Sequence, residues 1–568
     1  MQRDRPAPHW AAGGQSANPL EMVALWIFGL LAVVTVLVWG AGEISARVFS
    51  GVWPHVSAAE MGGVIARLRR HIADPAQAWP RPARHWIPGA LEFYATLGAL
   101  VIPLAFLLAF ILYARASHRQ GKQPQAAEWA SPHDLKLLRV SEPQRGRLTL
   151  GRVGGRLVAA EARQSVIVVG PTQTGKTTGF AVPAILEWGG PVVATSVKTD
   201  LLDDTIGGRS GGGDVFVYDP SGSTGAPSAG WTPLGHCTDW QGAQRMASWL
   251  VAAARQGNAG LDDADFWYSA TAKLLAPVLL AAASRGNTIS DVIEWIDTQD
   301  DGAVLGRLDF AAERAAVNCY LASRDRDDKT KSGIYATAET VLMAYADPVV
   351  AQSALSYDLT AERLLDGGRH TAYICAPTHE QQRLRPILTA VVQEIIAAVY
   401  ERAARAGKPL DPPLLLVLDE CANIAPLREL AALASTGAGQ GIQLVSVFQD
   451  LAQVSAAYGR DKAPTIVSNH RAKVILTGIS DSATLDYVGR LLGDEEVRLV
   501  SSTSGHEGQR SSTESTAYRS LAPANVLRQM RPGEGVLVYG HLSPARLTLR
   551  PWYEDKALSR LAQAGEQR

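Results

Sequence analysis

A glycine-rich octapeptide carries the residues best suited to bind a phosphate group. It consists of Gly170, Pro171, Thr172, Gln173, Thr174, Gly175, Lys176 and Thr177, and Thr178 follows it. An apolar run precedes it (SVIVVG, residues 165–170) and a helical pattern follows, which is the context that this loop requires. Glycines let the backbone curl so that its N–H groups face phosphate oxygens. Lys176 is expected to reach the β- and γ-phosphates of ATP, and the Thr177 hydroxyl is expected to ligate Mg²⁺.

A second candidate group is a pair of carboxylates at the end of an apolar run. Residues 413–418 (PLLLVL) carry no polar side chain, which favours a strand buried on both faces, as in a parallel sheet. Asp419 and Glu420 follow directly. We expect Asp419 to orient Mg²⁺ through water, and Glu420 to act as the general base that polarises an attacking water molecule.

An uncharged amide completes the candidate catalytic residues. Residues 442–448 (IQLVSVF) predict another strand, with Gln449 at its carboxyl end, 29 residues after Glu420. Ligands gather at the carboxyl ends of strands in open α/β sheets. Gln449 is therefore expected to sense a γ-phosphate or to position water. The candidate catalytic residues are Lys176, Glu420 and Gln449.

An α/β fold with a mostly parallel sheet is needed to bring these side chains together. The apolar runs that predict strands recur at residues 371–376, 413–418, 442–448, 472–478 and 535–540. Between Trp240 and Asp347, apolar residues recur instead at helical spacing. We therefore predict a nucleotide-binding domain, formed by residues 131–238 and 348–556, that is interrupted by an all-α inserted domain at 239–347.

Two apolar segments near the N-terminus are long enough to cross a membrane. Met22–Trp39 and Phe93–Tyr113 carry no charged residue, and they define predicted spans at about 22–40 and 91–113. With a rise of about 1.5 Å per residue, each covers a hydrocarbon core of about 30 Å. A cleaved signal peptide does not fit the first segment, because its apolar run is too long and a second span follows. No later segment is expected to be long and apolar enough to cross.

Charge is distributed unevenly along the chain. The predicted membrane anchor, residues 1–125, holds 11 Lys and Arg against 6 Asp and Glu, and the rest of the chain holds 43 against 49. This balance excludes a polybasic nucleic-acid binder, so DNA contact requires a local stripe of cations. Basic residues in the loop between the two spans oppose a simple positive-inside count. Because ATP is cytosolic, we expect both termini inside and that loop outside.

Three other stretches and the cysteines carry weaker signals. Residues 114–130 predict a polar linker, and Val500–Tyr518, rich in Ser, Thr and Gly, predicts a flexible loop. Residues 557–568 predict a short, partly ordered helical tail. The four cysteines are far apart, without CxxC or Cys/His ligand spacing, which argues against a zinc site and fits a reducing compartment.

The motifs and their order resemble those of the type IV secretion coupling proteins of the TraG/TraD group, in the larger FtsK/HerA-like class of ring motors. The matching segments are GPTQTGKTTGFAVPAIL (170–186), VATSVKTDLL (193–202), VYDPSGSTGAPSAGWTPL (217–234), LLLVLDECANI (414–424) and GQGIQLVSVFQDLAQ (439–453). The two N-terminal spans are similar as well, so the resemblance covers nearly the whole chain. It implies a cytoplasmic hexamer whose RecA-like P-loop domain carries Lys176, Thr177, Asp419, Glu420 and Gln449.

The resemblance also implies a function. The expected protein is an ATP-hydrolysing motor, tethered in inner-membrane lipid, that recruits single-stranded DNA with its attached relaxase. It drives this nucleoprotein into a type IV secretion channel during conjugation. Lys198 and Asp200 resemble a family motif near the phosphates, and a solvated turn is an equal interpretation. Residues 324–331 (RDRDDKTK) favour an exposed turn of the helical domain over a DNA site.

One departure concerns the arginine that some relatives supply to the γ-phosphate of a neighbouring subunit. By its spacing from Glu420 and Gln449, that position is Ala438 in this chain. Either the arginine comes from elsewhere, with Arg428 and Arg471 as candidates, or hydrolysis is organised differently. An ordinary surface salt bridge is the stronger interpretation of each candidate. Such an arginine is worth about 10³–10⁵ in rate, so its source matters.

Three alternatives compete with this interpretation. The same class of enzyme could carry another cargo, either protein effectors or double-stranded DNA. A nucleotide-gated scaffold would recruit substrates without sustained hydrolysis, and Ala438 supports it. An ABC-type transporter is disfavoured, because the sequence holds no LSGGQ-type signature and two spans are too few for a transport path.

Overall fold

The computed structural model describes residues 19–119, 126–197, 199–255, 262–504 and 510–564. The chain divides into two compact units, Met1–Gln125 and Ala126–Arg568. The division falls inside the predicted polar linker at 114–130, at the point where the predicted membrane anchor ends.

Across residues 19–119, the described part of the first unit, there are three α-helices: α1 (Pro19–Ser50), α2 (Ala58–Leu68) and α3 (Ala90–Arg119). Its core includes Met61 of α2 and Phe93 of α3. Glu43 of α1 is buried there, and its carboxylate accepts the backbone N–H groups of His55 at 3.2 Å and Val56 at 2.8 Å. A buried carboxylate requires such donors, so Glu43 fixes the turn between α1 and α2.

The second unit is built on β-strands. In chain order they are β1 (Thr149–Val153), β2 (Arg156–Ala159), β3 (Val166–Val169), β4 (Val192–Ser196), β5 (Val215–Tyr218), β6 (Thr371–Cys375), β7 (Leu414–Leu418), β8 (Ile442–Phe448), β9 (Ala472–Leu476), β10 (Asp494–Ser504), β11 (Arg510–Ser520), β12 (Glu534–Tyr539) and β13 (Ala545–Thr548). The five strands predicted from apolar runs correspond to β6, β7, β8, β9 and β12. The run at 165–170 corresponds to β3.

Helices connect these strands. They are α4 (Val182–Glu187), α5 (Asp200–Ser210), α6 (Trp240–Ala254), α7 (Asp262–Ser284), α8 (Ile289–Thr298), α9 (Asp301–Ala311), α10 (Arg314–Arg324), α11 (Asp328–Leu342), α12 (Pro348–Gln352), α13 (Ala361–Leu364), α14 (Gln381–Ala406), α15 (Cys421–Ile424), α16 (Leu430–Gln440), α17 (Leu451–Tyr458), α18 (Ala463–Asn469), α19 (Ser482–Leu492), α20 (Ala524–Gln529) and α21 (Lys556–Gln563). Helices α6 to α13 all lie between β5 and β6.

An 11-stranded sheet is formed in the order β2-β1-β13-β12-β9-β3-β8-β7-β4-β6-β5 among the described residues. The strands from β9 to β5 in this order run parallel to one another, and β12, β13, β1 and β2 add antiparallel pairs at one side. The prediction of an α/β fold with a mostly parallel sheet is confirmed.

The parallel strands are buried on both faces. On β3, Ile167 and Val169 pack into a cluster with α6, α7 and α14, whereas Val166 and Val168 pack into a cluster with α4 and the C-terminal elements. Side chains alternate between the faces of a strand, so an uninterrupted apolar run fills both clusters. This double burial fixes the ends of the strands, where the candidate residues lie.

The prediction of a flexible loop at Val500–Tyr518 was wrong for the described part of that stretch. Strands β10 and β11 form a two-stranded antiparallel ribbon, in register from Asp494 opposite Ser520 to Ser504 opposite Arg510. Threonine and valine favour extended backbone, and cross-strand pairing satisfies the backbone groups that a polar composition leaves open. Residues 505–509 lie outside the described residues.

Within the described residues, three helical segments are long and apolar enough to cross a membrane by length and composition. They are Leu31–Ser50 in α1, Ala90–Phe110 in α3 and Asp265–Ser284 in α7. The expectation that no later segment qualifies was therefore wrong. In α7, however, 61% of the apolar window is buried inside its unit, against 6% in α3. The apolarity of α7 is explained by its position among α6, α9, α10 and α11.

Candidate nucleotide-binding site

The sheet order brings the candidate residues to one edge. Strand β8 lies between β3 and β7, with Val169 opposite Phe448 and Leu418 opposite Ser446. The strands are parallel, so the glycine-rich loop after β3, the carboxylates after β7 and Gln449 after β8 all leave the sheet at its carboxyl edge. Spacing along the chain does not predict this adjacency, because these segments are far apart in sequence.

The glycine-rich loop is tied to the neighbouring strand and to its own lysine. The Gly170 N–H donates to the Phe448 carbonyl at 3.1 Å. The Lys176 Nζ donates to the carbonyls of Gly170 and Pro171, at 2.6 Å each. Gly175 has φ +85°, a left-handed conformation that L side chains rarely adopt, which lets the chain turn into the following helix.

A hydroxyl and a carboxylate meet beside the loop. The Thr177 Oγ1 donates to Asp419 Oδ2 at 3.2 Å, and Asp419 is only 8% exposed. Burial, and then the charge of Glu420, raises the pKa of Asp419 to about 6, although the hydrogen bond from Thr177 and the charge of Lys176 oppose the shift. Burial also lowers the pKa of Lys176, against the charges of Asp419 and Glu420.

Glu420 and Gln449 each form a hydrogen bond with a residue three or four positions later in the sequence. Glu420 has φ +51°, and its Oε2 accepts the side-chain amide of Asn423 at 3.1 Å. A positive φ at a residue other than glycine is uncommon and costs energy, which is a frequent feature of functional sites. The Gln449 N–H donates to Gln453 Oε1 at 2.8 Å, in the first turn of α17.

One cleft is lined by half of the predicted site residues, and they come from all three motifs. Its lining includes Thr172, Lys176, Thr177, Asp200, Asp419, Glu420 and Gln449. The remaining residues from Gly170 to Thr178 form the loop and the start of its helix. Lys198 lies outside the described residues. Sequence reasoning missed Gln453 and Asn423, although each follows its partner at a helical spacing of three or four residues.

The arrangement fits Mg²⁺ with a nucleotide phosphate. The Thr177 hydroxyl and the Asp419 carboxylate are hard oxygen ligands within hydrogen-bonding distance of each other. Mg²⁺ keeps several waters and is usually held by one or two protein oxygens plus phosphates, so a larger cluster is unnecessary. Among the described residues there is no group of three or more His, Cys, Asp and Glu that could hold a metal ion.

The positions considered for an arginine that reaches a neighbouring subunit's γ-phosphate lie in two parts of the second unit, around α16 and before β9. Ala438 is on α16, and Arg428 is exposed just before that helix. Arg471 precedes β9, at the opposite edge of the sheet from the cleft. There Arg471 forms an ion pair with Glu161 at 3.2 Å and stacks over Tyr539. The salt-bridge interpretation of Arg471 agrees with these contacts.

Comparisons with known proteins cover nearly the whole second unit. The family described as Type IV secretory system Conjugative DNA transfer matches residues 128–567. The conjugal transfer protein TraG of Escherichia coli is 26% identical over 409 residues, covering 65% of this chain and 62% of that protein. Protein VirD4 of Agrobacterium fabrum is 23% identical over 502 residues, covering 83% and 71%. The chain spans between 51% and 62% of the length of three TraG relatives.

Solved structures share the fold. The bacterial conjugative coupling protein TrwBdeltaN70, in its unbound monoclinic form, superposes with a TM-score of 0.58 at 18% identity, covering 75% of this chain and 92% of that one. TrwB in complex with ADP and Mg²⁺ gives 0.57 at 19% identity, covering 75% and 94%. The second unit therefore has a TrwB-like, RecA-like α/β fold. Since the family match covers residues 128–567, the chain belongs to the type IV secretory system conjugative DNA transfer family, as a coupling protein of the TraG/TraD type.

Proposed function

We propose that this chain is a membrane-anchored ATPase that recruits single-stranded DNA with its relaxase and drives it into a type IV secretion channel. The observation that carries the proposal is the cleft at the carboxyl edge of the sheet. It combines a phosphate-binding loop and a Thr177–Asp419 pair with Glu420 and Gln449 in the same lining. Hydrolysing motors commonly carry this set, and a passive nucleotide-binding fold does not require the second acid.

Each side chain has a proposed task. The Lys176 ammonium exchanges its two loop carbonyls for the β- and γ-phosphates. Thr177 and Asp419 would hold Mg²⁺, which would neutralise charge on the phosphates. Glu420 accepts a proton from the attacking water, and Gln449 orients that water or senses the γ-phosphate. TrwB, a neighbour in fold, was solved in complex with ADP and Mg²⁺ and with the ATP analogue ADPNP, which supports this choice of ligands.

The cargo and the location are also part of the proposal. Family membership supports DNA as cargo and the secretion channel subunits as partners. The apolar helices α1 and α3 support anchoring in inner-membrane lipid with two spans, and the nucleotide site then lies in the cytoplasm. Helices α6 to α11 support an inserted all-α domain at 239–347, between the two parts of the nucleotide-binding domain.

We also propose that the active form is a homo-hexamer, in which a neighbouring subunit completes each site. Arg428 is the better candidate for a trans arginine, because it is exposed, whereas Arg471 is engaged by Glu161 and Tyr539. A subunit that supplies charge to its neighbour's γ-phosphate couples hydrolysis to the interface between them.

The test is ATP turnover by the full-length chain in detergent, with and without single-stranded DNA. Turnover should rise with single-stranded DNA more than with a duplex of equal length. The Lys176→Ala variant should lose nucleotide binding, and Glu420→Gln should bind nucleotide while turnover falls by about 10²–10⁴. Lys408→Ala, which removes an exposed lysine near the opposite edge of the sheet, is the matched control and should keep wild-type turnover.

A nucleotide-gated scaffold is the second candidate function, and Ala438 is the observation that favours it. A scaffold would bind nucleotide and DNA with turnover at background level in every condition. If the wild type behaves in this way, Ala438→Arg becomes the decisive variant. A gain of DNA-stimulated turnover would show that only the trans arginine was missing, and no gain would leave the motor proposal without support.

A further inference from the structure

The C-terminal segment, residues 549–563, contacts the first turn after the phosphate-binding loop. The Trp552 N–H donates to the Thr178 carbonyl at 3.1 Å, and the Arg550 N–H donates to the Gly179 carbonyl at 3.2 Å. Thr178 directly follows Thr177 of the cleft. Two backbone bonds therefore join the end of the chain to the turn that carries the proposed metal ligand.

The local sequence explains why the carbonyls of this turn accept hydrogen bonds from residues outside their own helix. Residues Thr177–Ala181 form a π-helical turn, and Pro183 follows in the first turn of α4. Proline has no N–H, so the helix itself supplies one donor fewer to the carbonyls of this turn. An unpaired carbonyl in a buried turn is costly, and π-helical turns are frequent at functional sites. The C-terminal segment supplies the donors.

The same segment also holds α5, a second element of the cleft. The Trp552 indole N–H donates to Asp204 Oδ2 at 2.9 Å. Further along, α21 packs so closely on α5 that a Cβ at Gly208 would lie 2.4 Å from the Leu561 carbonyl oxygen. Helix α5 begins at Asp200, which lines the cleft. The C-terminal segment thus contacts two elements at the nucleotide site, the turn that follows β3 and helix α5, which follows β4.

A buried ion pair fixes the segment in place. The Arg550 guanidinium lies 2.8 Å from Glu187 Oε1, at the end of α4, and 3.1 Å from Asp555 Oδ2. The side chains of Arg550 and Glu187 are 5% and 8% exposed. A buried charged group left without its partner is strongly unfavourable, so this network opposes detachment of the segment from α4.

We propose that residues 549–563 are a positioning element of the nucleotide site, which holds the turn after the phosphate-binding loop and the start of α5 in the arrangement that binds Mg²⁺–nucleotide. This inference rests on the nucleotide binding proposed above, and it adds residues that no motif contains. Trp552 is the central positioning residue, because its backbone bonds one border of the cleft and its indole bonds the other.

The test measures the dissociation constant of a fluorescent ATP analogue with Mg²⁺ for the full-length chain in detergent. Trp552→Phe keeps a ring and the backbone N–H but removes the bond to Asp204, and Asp204→Ala removes the same bond from the other side. Each should weaken binding by about 3- to 10-fold, the range expected for one lost hydrogen bond. Asp204→Asn keeps an acceptor oxygen and should bind as the wild type does. Tyr553→Phe, at an exposed neighbouring position, is the matched control.

A purely structural role gives a different pattern. If Trp552→Phe and Asp204→Ala lower the melting temperature while the dissociation constant stays unchanged, the inference is overturned. The double variant should be no weaker than either single one, because both changes remove one bond, and additive losses would also contradict it. The readout is independent of DNA and of hydrolysis. A wild type that binds nucleotide without DNA-stimulated turnover would count against the proposed motor function and leave this inference standing.

Discussion

The burial that places Asp419 beside Thr177 also makes it a weaker acid. Its pKa is raised to about 6, first by burial and then by the charge of Glu420. A protonated carboxyl is a poor ligand for Mg²⁺, so with Asp419 in its proposed role protons and metal compete for this group. The geometry that suits the site to Mg²⁺ thereby gives it a dependence on pH close to neutrality.

This competition gives a prediction at the scale of one residue. As the pH falls below 6, Asp419 takes up a proton, and the apparent affinity for Mg²⁺ in the presence of nucleotide should fall by about tenfold per pH unit. Between pH 7 and 8 the carboxylate is already ionised, and the affinity should level off. Titration of nucleotide binding with Mg²⁺ at pH 5, 6, 7 and 8 measures this. Asp419→Asn should bind Mg²⁺ weakly at every pH, and a flat wild-type profile would contradict the assignment of Asp419 as a ligand.

At the scale of elements, the segment that leaves the sheet after β5 is hydrogen-bonded to the segment that returns to it before β6. The Gly230 N–H donates to Asp358 Oδ2 at 2.9 Å, and the Gly230 carbonyl accepts the Asp358 N–H at 2.8 Å. Glu394 of α14 accepts the Trp231 indole N–H at 2.8 Å and also bonds the Tyr357 hydroxyl. One buried carboxyl thus joins the outgoing segment, the returning segment and the core.

The Glu394 carboxyl predicts how thermal stability depends on pH. Burial raises its pKa from 4.5 to about 7, although the bonds from Tyr357 and Trp231 oppose the shift. The folded chain therefore binds a proton that the unfolded chain has lost, so the contribution of Glu394 to stability is full below about pH 4.5 and is lost as the pH rises to about 7. The loss is on the order of 3 kcal/mol.

The variant Glu394→Gln isolates this effect, because glutamine is neutral at every pH and can still accept from Trp231. Its melting temperature should exceed that of the wild type above pH 7, and the difference should shrink toward pH 5. Glu339→Gln, at an exposed position on α11, is the matched control and should shift nothing. A difference in melting temperature between Glu394→Gln and the wild type that is constant from pH 5 to 8 would refute the assignment.

The strands that could be predicted from sequence are those in which apolar residues occupy most of the positions. Residues 414–418 bury every side chain and form an uninterrupted apolar run, and residues 442–448 bury every side chain with only Gln443 and Ser446 interrupting the apolar pattern. Strands β1, β2 and β13 each contain exposed residues, and β10 and β11 are polar. Hydrophobicity therefore did not predict these five strands. The composition of a strand indicates whether its side chains are buried or exposed. It does not indicate which segment the strand pairs with, and a polar ribbon is defined by that pairing.

The candidate site divides in a similar way. Lys176, Asp419 and Gln449 could be predicted because each ends a strand or lies in a loop whose chemistry depends on local spacing. The contacts of Trp552 with Thr178 and Asp204 could not, since they join segments separated by more than 340 residues, and the contact with Thr178 uses backbone groups that any residue carries. Such contacts depend on how the C-terminal segment packs on α4 and α5, which no periodicity encodes.

At the scale of the whole molecule, the proposed ring predicts that sites do not act independently. A heterologous interface places each site beside a different surface of its neighbour, so a subunit that binds no nucleotide should impair an adjacent wild-type site. When wild-type and Lys176→Ala chains are mixed in equal amounts before assembly, independent sites give about half of the wild-type turnover. Sites that each need one competent neighbour give about a quarter.

DNA-stimulated turnover at a series of mixing ratios separates these cases. We expect a curve below the straight line, because in the proposed motor Lys176 is the residue through which each subunit engages the phosphates and closes its interface. Mixtures of wild type with Lys408→Ala should keep full turnover at every ratio, which controls for subunit exchange and dilution. A straight line for the Lys176→Ala mixtures would mean that each cleft is complete within one chain. In that case neither Arg428 nor any other arginine of a neighbour is needed, and the position of Ala438 carries no consequence for hydrolysis.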